Sequence, residues 1–109
     1  MRITYVDGLG TIGAKATYNI SISPGVGQGA IGINLNSTSA APTNVAYGVA
    51  ATSSFVPMCV PTSFFPTVGL NFLQAMEAGD GSDATTWTGQ MSLAALTVNV
   101  ATMQAWLDM

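Results

Sequence analysis

Apolar side chains recur at every second position through most of this chain, the spacing of strands with one buried face rather than of helices. Residues 2–6 read as a first strand. In 16–22, Tyr18, Ile20 and Ile22 fall on one face and Thr17, Asn19 and Ser21 on the other. A Pro- and Gly-rich stretch follows over 23–29, and beyond it Ile31, Ile33 and Leu35 alternate with Gly32 and Asn34. Two alternating runs flanking such a stretch predict a β-hairpin. Residues 36–44, Asn-Ser-Thr-Ser-Ala-Ala-Pro-Thr-Asn, read as a polar surface loop. Strands are predicted at 45–51 and 54–60. Pro57 and Pro61 make the second an edge strand or an irregular one, because proline donates no ladder hydrogen bond.

Ser63-Phe64-Phe65-Pro66 sets two adjacent aromatics in a turn-like context. From Val68 the alternation resumes, with Val68, Leu70, Phe72, Gln74 and Met76 against Gly69, Asn71, Leu73, Ala75 and Glu77. A Gly/Ser/Asp turn over 78–83 and strands at 85–88 and 91–100 complete the set. About eight short strands separated by turn signals predict an all-β sandwich or jelly roll. The domain is expected to span 1–100, with 101–109 as an apolar docking tail. In that tail Ala101, Ala105 and Met109 share one side of a helix, close to Met103, Trp106 and Leu107, so a short C-terminal helix is expected. Isolated helices under about 12 residues are marginal, so the tail must pack on something. Eight strands already close a sandwich, and the expected partner is another chain.

Charge changes the picture most. Asp, Glu, Lys and Arg make up 6% of the 109 residues, against about 25% in ordinary soluble domains. Arg2 and Lys15 are the only cations, the acids are Asp7, Glu77, Asp80, Asp83 and Asp108, and no formal charge lies between Lys15 and Glu77. A chain this neutral is expected to cover its surface against partners, or to solvate it with Ser, Thr, Asn and Gln. Two cations and a net charge of -3 leave no footprint for nucleic acid, which requires clustered Lys and Arg. The most apolar stretch, 44–60, is broken by Thr52, Ser53, Ser54 and Pro57. It falls short of the run of about 20 apolar residues that a membrane helix needs. No basic segment precedes an apolar run at the start, so no secretory signal peptide is expected.

Catalytic chemistry is short of parts. The chain has no His, the commonest general base, and Cys59 therefore lacks a His to generate its thiolate. Flanked by Met58 and Val60, Cys59 is expected as a buried small hydrophobe. Gly8-Leu9-Gly10-Thr11-Ile12-Gly13 matches G-x-G-x-x-G. A dinucleotide site also needs a helix next and an acid about 20 residues on. Strand periodicity follows instead, so the motif reads as a glycine-rich turn. Asp80 and Asp83 supply too few oxygen donors for a calcium loop, and a solvated hairpin tip is expected there. Asn19-Ile20-Ser21 and Asn36-Ser37-Thr38 fit the glycosylation pattern by chance in a chain rich in Ser, Thr and Asn. No enzyme activity, cofactor or metal is expected.

The segment 69–100 is more specific. Gly69-Leu70-Asn71-Phe72 leads to Ala75-Met76-Glu77, then a small-residue turn, then Trp87-Thr88-Gly89 and a closing apolar run over 93–100. This resembles the C-terminal β-hairpin region of the trimeric head domains of phage fibres and capsid-decorating spikes, and 18–36 is loosely similar to their opening strands. The resemblance implies a jelly-roll or TNF-like sandwich that trimerises about an apolar axis. With Met1 at the start and no fibrous stalk ahead of it, the expectation is a stand-alone virion surface component. The absence of the His often found near the Gly-aromatic strand sets any shared ligand chemistry aside. Expected partners are copies of the chain, other virion proteins, and, as a second reading, a host receptor or glycan. Expected contact residues are Phe64, Phe65, Phe72, Trp87, Met103, Trp106 and Leu107, with Phe64, Phe65 and Trp87 as stacking platforms. Glu77, at the end of an apolar strand, is expected exposed or hydrogen-bonded to hydroxyls such as those of Thr85 and Thr86.

Overall fold

The computed structural model describes residues 1–8, 13–23, 25–81, 87–88, 91–92, 97–98 and 101–107. These are all-β: β1 (Arg2–Asp7), β2 (Ala14–Ile22), β3 (Gln28–Leu35), β4 (Val45–Val49), β5 (Val56–Phe64), β6 (Gly69–Gly79), β7 (Trp87–Thr88), β8 (Met91–Ser92), β9 (Thr97–Val98) and β10 (Thr102–Leu107). Two antiparallel sheets face each other. Sheet A has the order β1-β6-β3-β4. Sheet B has the order β10-β2-β5, with β7 pairing the end of β2. Alternation sends Tyr18, Ile20, Ile22, Met58 and Val60 inward from sheet B to meet Ile31, Ile33, Leu73 and Ala75 from sheet A. Burying these side chains is the main term holding the sheets together, at about 1.5–3 kcal/mol for each large one.

The expected hairpin over 16–35 is replaced by a crossing. β2 pairs with β5, β10 and β7, whereas β3 pairs with β4 and β6. Both strands carry a fully apolar inward face, and a hairpin would put both faces on one sheet with nothing opposite. Crossing between sheets turns Ile20 and Ile22 toward Ile31 and Ile33, so each face is buried by the other. The linking turn is held by Gly25 N–H donating to Ala51 O and Ala50 N–H donating to Gly27 O, each at 2.9 Å.

The C-terminal helix expected over 101–109 is likewise replaced. Thr102 to Leu107 pairs residue for residue with Asn19 to Ala14. At period 2, Met103, Ala105 and Leu107 share one face. β2 has a whole side to offer, and ladder pairing there satisfies more backbone than a single helical turn. The closing strand expected over 91–100 is instead a small antiparallel pair, Met91–Ser92 with Thr97–Val98. A change of strand direction within that span is incompatible with one continuous strand.

β5 occupies a sheet edge, as its prolines predict. The Pro61 carbonyl accepts from Asn44 Nδ2 at 3.4 Å, on the side away from β2. The missing N–H of Pro61 faces that same open side, and Pro57, four residues away, is oriented alike. β5 runs on through Ser63 and Phe64, so the turn expected at 63–66 begins only at Phe65. Cys59 is exposed rather than buried. It alternates with the inward Met58 and Val60, and apolar neighbours in sequence lie on the opposite face of a strand.

Candidate functional site

The outer face of sheet A carries the feature that periodicity alone left unassigned. β6 is apolar on both faces. Asn71, Leu73 and Ala75 point inward, and Leu70, Phe72 and Met76 point out. Leu70 pairs with Val6 of β1, and both are 70% exposed. At the other end of the face, Tyr47 and Val49 of β4 are 79% and 64% exposed. Between these ends the chain covers its own sheet. Residues 36–44 fold back over β3, with Asn34 Nδ2 bonded to Ala40 O and Pro42 seated over Gly32. A Cβ on Gly32 would lie 2.5 Å from Pro42, so only glycine admits this contact. Arg2 stacks its guanidinium 4.2 Å from the Phe72 ring centroid and bonds Gln74 Oε1 at 2.9 Å, so the one cation on this face is already engaged.

The outer face of sheet B is different in kind. Trp106, Lys15 and Ser63 form one outward row across β10, β2 and β5, and Gln104, Thr17 and Pro61 form the next. An open groove of about 730 Å³ crosses these rows, walled by Thr43 and Asn44 beside the β5 edge. Trp106 is 51% exposed at one end of it.

The expected contact residues therefore do not form one site. Phe64, Met103 and Trp87 pack against the core. Trp87 pairs with Ile22, and its ring lies against Gly29, where a Cβ would meet it at 2.5 Å. It is a wedge in the sandwich rather than a stacking platform. Phe72 lies half-buried under Arg2, Phe65 is 87% exposed, and Leu107 is exposed at the end of β10. Val6, Leu70, Tyr47 and Val49, exposed on the outer face of sheet A, lie outside the expected set. The double-sided apolar pattern of β6 was the available signal.

Glu77 is exposed, and its Oε1 accepts a hydrogen bond from the hydroxyl of buried Tyr18, tying β6 of sheet A to β2 of sheet B. Thr85 and Thr86 lie outside the described residues. Burial, then the Glu77 hydrogen bond and then its charge, push the Tyr18 phenol well above its ordinary value of 10.0. Tyr5 is raised as well, first by burial and then by Asp7. A raised phenol holds its proton more tightly in the folded state. The associated stability is therefore complete below the unfolded value and is lost as pH rises past it. Urea unfolding should show a decline in stability above about pH 10. Tyr18→Phe should flatten that decline while leaving the share due to Tyr5. An unchanged alkaline limb in Tyr18→Phe contradicts the assignment.

Asp80 accepts from Gln28 N–H at 3.1 Å, closing the end of β3 against β6. Asp83, and the middle of the glycine-rich 8–13 motif, lie outside the described residues. Among the described residues no three His, Cys, Asp or Glu side chains cluster as metal ligands, and no helix is long and apolar enough to cross a membrane. No protein-family model, curated protein or solved structure matches this chain.

Proposed function

We propose that the chain is a virion surface protein, a jelly-roll or TNF-like subunit that assembles with copies of itself as a homotrimer on a phage capsid or fibre head, without catalysing a reaction. The observation that carries the assembly reading is the outer face of sheet A, with Val6, Leu70, Tyr47 and Val49 exposed and Arg2 already stacked on Phe72. Exposed apolar clusters mark interaction surfaces. A face with so little charge is best matched by another of its kind, which a second copy supplies. The virion context rests on the resemblance carried by 69–100. Host attachment through a receptor or glycan is the second reading, favoured by the groove around Trp106 on the opposite side of the sandwich.

Sedimentation velocity at micromolar concentration should show no stable monomer. The double substitution Val6→Lys with Leu70→Lys sets like charges side by side on the outer surface, where the fold does not need them apolar. It should yield a folded species of 11.1 kDa. A wild-type protein that sediments at that mass overturns the assembly reading.

A further inference from the structure

We infer that copies of this chain join edge to edge, β4 of one copy pairing antiparallel with β1 of the next, so that sheet A runs on from copy to copy. The inference rests on the assembly reading and specifies the contact through which copies meet. Strands β1 and β4 are the two edges of sheet A, and the phase of its ladder decides which backbone groups they offer. Ala75 N–H donates to Met1 O at 3.0 Å, one step beyond the Arg2–Gln74 pair. Residues bonded in this way alternate along an antiparallel pair with residues whose N–H and C=O turn to the opposite side. Ile3 and Tyr5 therefore bond β6, and Arg2, Thr4 and Val6 turn their backbone groups to the open edge. Ala50 N–H donates to Gly27 O at 2.9 Å, one step beyond the Val49–Gln28 pair, and sets the phase of β4 likewise. Ala46 and Gly48 bond β3, while Val45, Tyr47 and Val49 turn their groups to the other open edge. All six edge residues are exposed. Among the described strands β1 pairs only with β6, and β4 only with β3.

The two edges fit each other. Every neighbouring pair in sheet A is antiparallel, so β1 and β4 run in opposite directions. Rotation about an axis along the strands preserves those directions and brings β4 of one copy to an antiparallel β1 of the next. With Thr4 opposite Tyr47, Val6 falls opposite Val45 and Arg2 opposite Val49, and each pair exchanges two ladder bonds. Val6 and Leu70 of one copy then adjoin Val45 and Tyr47 of the next. The two apolar ends of the outer face, separated within one chain, become a single patch. Pairing of β4 with its own copy is symmetric and closes as a dimer, leaving Val6 and Leu70 uncovered, whereas a head-to-tail contact closes into a ring. Open edges are ordinarily guarded by prolines, charges or bulges. β5 carries Pro57 and Pro61 on its open side, whereas neither β1 nor β4 holds a proline and β4 holds no charge. Sheet A, not the β5 edge of sheet B, is the one open to continuation.

Amide hydrogen exchange tests the contact on the unaltered chain. In the assembled protein the amides of Thr4, Val45, Tyr47 and Val49 should exchange at least about tenfold more slowly than in the monomeric Val6→Lys, Leu70→Lys double variant. Thr4→Pro and Tyr47→Pro each remove one edge donor that no strand of the same copy uses, a change that edge strands tolerate. Each should yield a folded species of 11.1 kDa, whereas Thr4→Val and Tyr47→Val, which keep the donors, should assemble. Circular dichroism shows which variants are folded, and where a proline variant is not, the exchange measurement carries the test. A wild-type protein that sediments at 11.1 kDa overturns this contact together with the assembly reading. An assembled wild type overturns the contact alone if the four amides exchange as fast as in the double variant, or if a folded proline variant assembles as the wild type does. Assembly lost in Tyr47→Pro and kept in Thr4→Pro shows β4 pairing with its own copy, and that too overturns the head-to-tail contact.

Discussion

Deleting residues 102–109 is expected to abolish the cooperative fold. The deletion removes all of β10, six residues paired without interruption along β2. Met103 and Ala105, which pack on the core beside Tyr18 and Ala16, leave with it. Tyr18 is 1% exposed, and its ring would meet water along the side that β10 covers. Losing one large apolar side chain from the interior costs about 1.5–3 kcal/mol, and each net ladder hydrogen bond contributes about 1 kcal/mol. The sum rivals the entire stability of a small domain, about 5–15 kcal/mol. β2 would also become an exposed edge, open to pairing with other chains. Circular dichroism and amide dispersion in an NMR spectrum of residues 1–101 decide the matter. Loss of β signal and of dispersion is expected, and a well-dispersed, folded truncation would show that β10 is an accessory strand.

That expectation reverses the one drawn from sequence, and the reversal shows where periodicity reads well and where it fails. Strand positions were legible because each core strand alternates. Tyr18, Ile20 and Ile22, or Leu73 and Ala75, declare a buried face without help from tertiary context. The edge position of β5 was legible because Pro57 and Pro61 lack donors, a property of the residue itself. Pairing was not legible. Ser23 to Gly29 looks like a hairpin turn, and nothing in those residues says whether the chain returns along the same sheet or crosses to the other. The choice was made by the surface opposite, where Ile20 and Ile22 needed Ile31 and Ile33. The tail misled for a related reason. Met103, Ala105, Trp106 and Leu107 fit a helical patch about as well as a strand, and only the vacant side of β2 selects the strand.

The surfaces were harder still. Composition predicts that a nearly uncharged chain offers a face to partners, but the expected contact residues, Phe64, Phe65, Phe72, Trp87, Met103, Trp106 and Leu107, are mostly aromatics. Large aromatics are as useful inside a thin sandwich as outside. Trp87 fills the space left by Gly29, and Phe64 closes one end of the core. The exposed face is built instead from modest side chains, Val6, Leu70 and Val49, joined by Tyr47. Their outward orientation depends on register with the neighbouring strand. Trp106 was named for its apolarity as part of a docking helix. As a strand residue it turns away from Met103 and Leu107 and stands in the groove beside Lys15, a neighbour ninety-one positions earlier in sequence.

Replacing Asn71 with Leu is expected to be the most damaging single substitution in the domain. Asn71 stands on the inward face of β6 and is fully buried, at 0% exposure. Its Oδ1 accepts from Asn36 Nδ2 at 2.8 Å, from Thr67 N–H at 3.3 Å and from the Thr67 hydroxyl at 3.3 Å. Its Nδ2 donates to Thr67 O at 2.6 Å and to Gly69 O at 3.0 Å. Asn36 is bound to the same spot by its own backbone. Its N–H donates to Phe72 O at 2.9 Å, and its Oδ1 accepts from Phe72 N–H at 2.8 Å. It holds a left-handed conformation, φ 54°, that asparagine tolerates better than most residues. One buried amide thus fixes the turn before β6 and the point where β3 ends and the 36–44 loop begins. Leucine keeps the branching at Cγ but is bulkier and meets none of these groups, leaving the Thr67 and Gly69 carbonyls without their amide donor. Unmet buried groups cost about 1–3 kcal/mol each, so a loss of about 3–5 kcal/mol is expected in urea unfolding of Asn71→Leu. Asn71→Asp separates hydrogen bonding from packing. Ionised, it aims a carboxylate oxygen at two carbonyls, and protonated, it regains a donor. Burial raises such a carboxyl above its unfolded value, so this variant should be most stable in mild acid and lose stability as pH rises through the folded value. A loss in Asn71→Leu of less than about 1 kcal/mol, or an Asn71→Asp variant whose deficit is the same in acid and at neutral pH, would show that the amide's hydrogen bonds do not hold this corner of the sandwich.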